Sequence, residues 1–433
     1  MNDFAKYLVA FIAIIIQNVA ASNISSSGEK SVFAHFIVGN AASMTLEDWK
    51  SDIALAQTAH IDGFALNIAS NDGTNDAILN IAYEAAETLN FKMFLSFDYA
   101  STGAWSSSAV ISTINKYKTY SAQFHYSGKP LVSTFIGSSN KGDWANIKEQ
   151  TGCFFMPDWT DLGTPEVVAA ETVIDGAFSW DAWPNGPNNK TTISDTEYKS
   201  SLESKPYMMP VSPWFYTNLP QWDKNWLWRG DDLWYERWLQ VLDINPALVE
   251  IISWNDFGES HYIGPIYEMG IPSGASWYVD GMKHDGWRAL LPFFIDAYKS
   301  GELNAKPTED VLSFWYKITP NTAGGTGGTT GNTASQGQTI YPVSEVSEDL
   351  IFVSVIAKNT ATLSIQIGGT SSITSFPISA GPNFYSIPMG KSSGSPIFTL
   401  SRNNKTVKNV TGPTILQTAT NGLVNFNAYS GSA

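Results

Sequence analysis

Cysteine is almost missing. The 433-residue chain has only Cys153, so no internal disulfide can form and the fold must be held by its core. Cys153 sits in the apolar run Cys153-Phe154-Phe155-Met156, the setting of a buried structural thiol. Charge is scarce too, at 15% of residues, and 25 Lys and Arg against 40 Asp and Glu leave a net charge of −15. That field repels nucleic acid and anionic membranes, which excludes both as partners. The five histidines are scattered, and no His/Cys group has the spacing of metal ligands, so neither a metal nor another cofactor is expected. No Gly-rich phosphate loop follows the first strand candidate, which argues against an open nucleotide-binding sheet. The apolar stretch Tyr7–Ile16 is too short to span a membrane. Preceded by Lys6 and followed by Val19-Ala20-Ala21-Ser22, it reads as an export signal cleaved after Ala21. Residues 1–21 are then a signal peptide, and the mature protein is secreted, extracellular or in the cell wall. The sequons at Asn23, Asn189, Asn404 and Asn409 are compatible with that route.

Aromatic residues are plentiful at 13%, with 16 Trp, 18 Tyr and 23 Phe. A neutral sugar suits such a chain, because pyranose C–H faces stack on aromatic rings and carry no charge to repel. All the tryptophans lie between Trp49 and Trp315. Trp234 and Trp238, at helical spacing, belong in a core; Trp214, Trp222, Trp226 and Trp228 occur among Pro213, Pro220 and Gly230 and are expected to floor a cleft.

Short apolar runs alternate with helical stretches through the first 300 residues or so. The strand candidates are Val32–Val38, Gly63–Ile68, Lys92–Phe97, Pro130–Phe135, Cys153–Met156, Gly176–Trp180, Tyr207–Val211 and Val249–Trp254. Leu46–Ala59, Asp76–Leu89, Val110–Phe124 and Asp285–Lys299 carry helical periodicity. Eight strands with intervening helices predict an α/β fold, a (β/α)8 TIM barrel over residues 30–306. After Pro307 the pattern changes. Val311–Ile318 alternates like a strand, a Gly/Thr-rich loop or linker occupies about 320–338, and the rest has strand punctuation without helical period. Residues 309–433 are therefore expected to form a smaller all-β, sandwich-like domain.

Barrel enzymes place their chemistry at the C-terminal ends of strands. Here those ends bear Asn67, Asp98, Asp158, Asp181, Asp256 and Glu259. His35 lies within the first strand, where an inward side chain is either a hydrogen-bonded core residue or a sugar contact. The last candidate strand breaks into Ser253-Trp254-Asn255-Asp256-Phe257-Gly258-Glu259-Ser260-His261-Tyr262. Asp-x-x-Glu is also the pattern of a helix cap. Two carboxylates on one rigid strand end, however, are the equipment for splitting a glycosidic bond, one as acid and one as base or nucleophile.

Several longer segments carry a resemblance. Phe33-Ala34-His35-Phe36, Ile61-Asp62-Gly63-Phe64-Ala65-Leu66-Asn67, Phe178-Ser179-Trp180-Asp181-Ala182-Trp183-Pro184, Met208-Met209-Pro210-Val211-Ser212-Pro213-Trp214-Phe215 and Ile252–Pro265 are similar to glycoside hydrolase family 71, the fungal endo-α-1,3-glucanases or mutanases. The similarity runs from about Val32 to Tyr298 and continues into the β-rich region. It implies internal cleavage of α-1,3-glucan with inversion, and it matches the family's catalytic pair to Asp256 and Glu259. On this reading Glu259 is the protonated acid and Asp256 the carboxylate that activates water. The expected sugar contacts are His35, Asn67, Asp98, Asp158, Trp180, Asp181, Trp183, Trp214, Tyr216, Trp254, Asn255, His261 and Tyr262. The partner is the polysaccharide alone, with the protein a monomer. The residues themselves leave open a hydrolase of another glucan linkage, or a glucan-binding protein without catalysis.

Overall fold

The computed structural model describes residues 30–302, 304–323, 339–369, 372–391, 393–419 and 422–433. The proposed signal peptide and most of the Gly/Thr-rich segment lie outside them. Eight strands run in the same sense through the first part of the chain: β1 (Ser31–Ile37), β2 (Gly63–Ala69), β3 (Lys92–Asp98), β4 (Lys129–Phe135), β5 (Phe154–Phe155), β6 (Ala177–Phe178), β7 (Tyr207–Val211) and β8 (Leu248–Ile251). Parallel pairing links β4, β3, β2, β1, β8, β7 and β6 in that order, and β5 joins β4. The sheet curls. At its two ends Asp158 bridges to Phe135 on one side and to Phe178 on the other, and Phe178 N–H donates to Pro157 O at 2.9 Å. A short antiparallel strand, His125–Tyr126, flanks β4.

Each strand is followed by helix: α1 (Leu46–Thr58), α2 (Asn75–Leu89), α3 (Ser107–Tyr117), α4 (Trp144–Thr151), α5 (Pro165–Ala169), α6 (Ile193–Ser201), α7 (Leu233–Ile244) and α8 (Leu291–Ser300). Their ends follow local chemistry. Thr45 and Asp48 form a reciprocal capping box at the start of α1. α2 and α7 stop where Asn90 and Asn245 take left-handed backbone, a conformation their short polar side chains tolerate. The strands β1 to β3 are buried almost throughout, so they read as apolar runs rather than alternating ones.

Two helical expectations need correction. The stretch Val110–Phe124 is helical only to Tyr117, because Lys118–Phe124 turns back to pair beside β3: Phe124 N–H donates to Met93 O at 2.7 Å. Asp285–Lys299 is two helices, Asp285–Ala289 and α8, since Pro292 has no N–H to continue the first and suits the opening turn of the second.

Beyond α8, β9 (Val311–Lys317), β10 (Leu350–Ala357), β13 (Gly381–Pro388) and β16 (Ala428–Ser432) form one antiparallel sheet; β11 (Ala361–Ile367), β12 (Ile373–Ile378), β14 (Pro396–Arg402) and β15 (Lys405–Thr411) form another. One hydrophobic cluster joins them, with Phe314 stacked on Phe398 at 4.2 Å between centroids.

This β region is fastened to the first part of the chain. Trp214 Nε1 donates to Phe426 O at 2.8 Å, Trp315 Nε1 to Asp231 O at 2.7 Å, and Ser430 N–H to Lys283 O at 2.7 Å. His284 is buried, with Nδ1 2.6 Å from Tyr262 O and Nε2 2.8 Å from Ala428 O. Gly230 is required beside this seam: a Cβ there would come within 2.2 Å of the Trp214 ring.

Candidate active site

Past Ile251 the backbone leaves the sheet but stays tied to it. Trp254 N–H donates to His35 O at 2.7 Å on β1, and Ser253 and Ile263 exchange bonds across the returning loop, Ser253 N to His261 O and Ile263 N to Ser253 O, each 2.9 Å. The loop is thus held much as a strand would be, and its side chains are aimed by fixed backbone. Asn255 braces it from within. Its Oδ1 accepts Ile37 N–H at 2.8 Å and its Nδ2 donates to Ile37 O at 3.0 Å.

Asp256 and Glu259 both arise from this loop. Asp256 Oδ1 accepts Glu259 N–H at 3.0 Å, closing a turn, as the capping pattern anticipates. Glu259 does not reach back to complete a cap. Its Oε2 lies 3.1 Å from His261 Nε2, and its Oε1 lies 2.9 Å from Lys224 Nζ. His261 Nε2 is also 3.8 Å from Asp256 Oδ2, while its Nδ1 meets Ser253 Oγ at 2.9 Å. The Ser253 hydroxyl also accepts Asp256 N–H at 2.9 Å, so one small side chain orients both the imidazole and the aspartate. Ser260, between Glu259 and His261, takes left-handed backbone (φ 60°), a conformation costly to any residue with a Cβ. The strain sits where the two flanking side chains converge.

Electrostatics separate the two carboxylates. Burial and the neighbouring Glu259 charge push Asp256 above the usual carboxylate range, against the pull of His261 and Lys224. Burial would raise Glu259 too, but the Lys224 ammonium and His261 outweigh it and hold Glu259 down to about 2. Both keep an opening to solvent, with side-chain exposures of 18% and 20%.

An aromatic wall leads inward from the pair. His261 packs 5.5 Å from Trp183 and 5.8 Å from Phe215, Trp183 lies 6.5 Å from Trp180, and Trp180 meets His35 edge-on at 4.9 Å. His35 Nδ1 is 2.7 Å from Glu250 Oε1, a fully buried pair within the sheet. Burial pushes the Glu250 carboxyl up, with His35 opposing it. Trp180 and Asp181 keep partial exposure, and Asp181 is paired with Lys190 at 2.6 Å.

Other expected sugar contacts are taken up by the packing. Trp214, Tyr216, Trp254 and Tyr262 are buried and present no face to a ligand. Trp254 donates to Asp52 at 2.7 Å and Tyr262 to Met282 O at 2.5 Å, so their polar atoms serve the fold. Asp158 is wholly buried and bonded to Thr160, and burial pushes its carboxyl up to about 7. Asp98 is buried and takes the N–H groups of Ala100 and Ser101 at 2.6 and 2.9 Å. Asn67 is also buried, on β2. Of the loop tryptophans, Trp226 is buried and Trp222 is 56% exposed at the tip of the hairpin formed by Tyr216–Leu219 and Lys224–Leu227.

Lys224, Ser253, Glu250 and Phe215 belong to the arrangement without having been singled out by sequence. Two left a signal. Lys224 is the sole cation in Pro213–Trp228, and Glu250 is a charge inside the apolar run Leu248–Ile252, where a buried carboxylate demands a partner.

One oxygen or nitrogen from each of Asp256, Glu259 and His261 falls within 4.8 Å of the others, a spacing that could hold a cation. The Lys224 ammonium already supplies positive charge there, both His261 nitrogens have partners, and we assign no metal to the cluster.

A family model described as Glycosyl hydrolase family 71 matches residues 28–433. The chain belongs to glycosyl hydrolase family 71. This family 71 chain is 35% identical over 442 residues to a glucan endo-1,3-alpha-glucosidase of Schizosaccharomyces pombe, covering 98% of the chain and 99% of the relative. It is 37% identical over 416 residues to a mutanase of Penicillium rubens, covering 94% and 90%. An ascus wall endo-1,3-alpha-glucanase of Schizosaccharomyces pombe is 30% identical over 376 residues, covering 81% and 84%.

Proposed function

We propose that the protein hydrolyses internal α-1,3-glucosidic bonds of cell-wall α-1,3-glucan, with Asp256 and Glu259 as the catalytic pair. The observation that carries the reading is the convergence of these two partly open carboxylates on His261, at the end of β8 and beside the Trp183–Trp180 wall. Family membership and relatives named for α-1,3-glucan support the substrate. A relative named for the ascus wall supports an extracellular or wall location; among the described residues no helix is long and apolar enough to cross a membrane. We also read the curled sheet as a complete (β/α)8 barrel over residues 30–306, supported by the Asp158 bridges, and residues 309–433 as a sandwich-like domain.

The sugar-contacting set we retain is Trp180, Asp181 and Trp183, the residues on or near the open side of the wall; His261, buried behind the carboxylates, orients them instead. In the mechanism, one carboxyl donates a proton to the leaving glycosidic oxygen while the other, as carboxylate, activates water on the opposite face of the ring. We keep Glu259 as acid and Asp256 as base, with His261 fixing the spacing between them. Inversion needs about 6.5–9.5 Å between the carboxyl groups, and retention about 5–5.5 Å. In the sugar-free conformation one oxygen of each carboxyl lies within 4.8 Å of one of the other, and inversion places a water between the two groups.

One assay tests both. The protein is incubated with insoluble α-1,3-glucan, β-1,3-glucan and α-1,4-glucan, and products are resolved by size and anomer. Only α-1,3-glucan is expected to yield oligosaccharides early. NMR before mutarotation is expected to show the β-anomer first; an α-anomer would establish retention instead. Cleavage confined to another linkage would overturn the substrate.

A further inference from the structure

Both oxygens of Glu259 are engaged, by partners of different kinds. His261 is 1% exposed and fixed at its other nitrogen by Ser253, so it cannot leave without unravelling the loop. Lys224 comes from the separate hairpin Tyr216–Leu219/Lys224–Leu227, and its side chain is 47% exposed. That hairpin is anchored at its base, where Tyr216 N–H donates to Glu259 O at 3.1 Å, and at its tip, where Gln221 Nε2 donates to Ser273 O at 2.7 Å. The backbone therefore stays put, while the ammonium on its flexible four-carbon stem can swing into solvent.

We propose that Lys224 is a positioning residue for this reaction: it holds Glu259 through Oε1 in the sugar-free protein and is displaced when a glucan chain enters, leaving that oxygen to face the glycosidic oxygen. The inference rests on the proposed glucanase reading. An acid must bring a protonated oxygen to within about 2.6–3.2 Å of the leaving group, and an oxygen held by an ammonium cannot do so.

The charge balance agrees. The groups facing Glu259 are Lys224 from the hairpin, Asp256 and His261 from its own loop, and Tyr278 from the short helix Ser276–Val279; Asp98 at the end of β3 faces Lys224. Lys224 is the strongest of the influences that lower the Glu259 carboxyl. Once it moves off, burial, which favours the protonated form, is opposed by His261 alone. Glu259 then takes its proton from solvent as the sugar settles, so that the acid is charged with a proton only when there is a bond to cleave.

Lys224→Met and Lys224→Arg separate this from a merely structural contact. The pH dependence of kcat/KM reports the free protein, and that of kcat the sugar complex. In Lys224→Met the kcat/KM profile is expected to move upward by roughly 1–3 pH units, the effect of an opposite charge at this range. The kcat profile should stay near the wild type, and Lys224→Arg should restore both. Equal movement of the two profiles would mean that Lys224 stays paired throughout turnover and would overturn displacement. No movement in either would overturn the pair. A second readout needs no catalysis: the ¹³C carboxyl signal of Glu259, assigned by its loss in Glu259→Gln, followed through pH with and without an α-1,3-linked oligosaccharide. Adding sugar should raise the Glu259 titration in the wild type and leave Lys224→Met unchanged. A wild type that binds the sugar and shows no change refutes the proposal; one that binds or cleaves no α-1,3-linked sugar refutes instead the function on which it rests.

Discussion

Glu259 and Asp256 show how far a spacing of three residues can be read. Two carboxylates so placed on a strand end predict an acid and a base for one bond, and the structure sets both against His261, because the loop is stitched to β1 and to itself. What the spacing could not reveal is the third party. Lys224 is 35 positions from Glu259, and only the fold brings its hairpin across. Nor could it reveal which tryptophans are covered. Trp214 lies among prolines and was expected at the cleft, yet its indole is sealed against residues near Phe426, two hundred positions away in sequence. At this scale the decisive test is removal of each carboxylate. Asp256→Asn and Glu259→Gln should each cut turnover on α-1,3-glucan by about 10²–10⁴-fold, the usual worth of a positioned acid or base. Circular dichroism should remain native, and a variant with near-wild-type turnover would strike that residue from the pair.

The elements were largely visible in the chain because strands buried on both faces need continuous apolar runs, and all eight such runs became parallel strands. Their ends were less visible. Helical periodicity continues past Tyr117 although Lys118–Phe124 is recruited to edge pairing, a tertiary demand that no local pattern encodes. The register of β7 and α7 depends on a device equally hidden. Arg237, fully buried on α7, clasps Asp195 of α6 with bonds of 2.7 and 3.0 Å and reaches Pro210 O on β7 at 2.8 Å. Tyr207 adds a bond to the same carboxylate at 3.0 Å. Removing one member strands a buried charge, so Asp195→Ala should lower unfolding free energy by about 3–5 kcal/mol. Urea unfolding gives that figure directly, and a loss below about 1 kcal/mol, the worth of an exposed pair, would show that Arg237 finds water instead.

At the scale of the molecule, the two parts share one seam, and His284 is its titratable element. Burial holds its imidazole down to about 4, although bonds to Tyr262, Ala428 and Asn427 favour the charged ring. A base with a lowered folded pKa stays neutral in the native state while the unfolded chain takes up a proton near 6.5. Its stabilising effect is therefore complete above about pH 6.5 and fades as pH falls toward 4, by on the order of 3 kcal/mol. Urea midpoints of the wild type and His284→Asn should accordingly converge on acidification across that window; a constant gap would place the acid sensitivity elsewhere. The same seam orders events in time. A chain is made from its N-terminus, and early segments begin to fold while later ones are still being added. β8 can complete its pairing with β1 and β7 long before β16 exists, but the Trp214 indole, His284 and the free edge of β9 must wait for Phe426–Ser432. A nascent chain would carry that unfinished flank until Phe426–Ser432 had emerged from the ribosome. A message broken before them would therefore give a protein with the Ser253–Tyr262 loop in place and an open side, recognisable to quality control as incomplete.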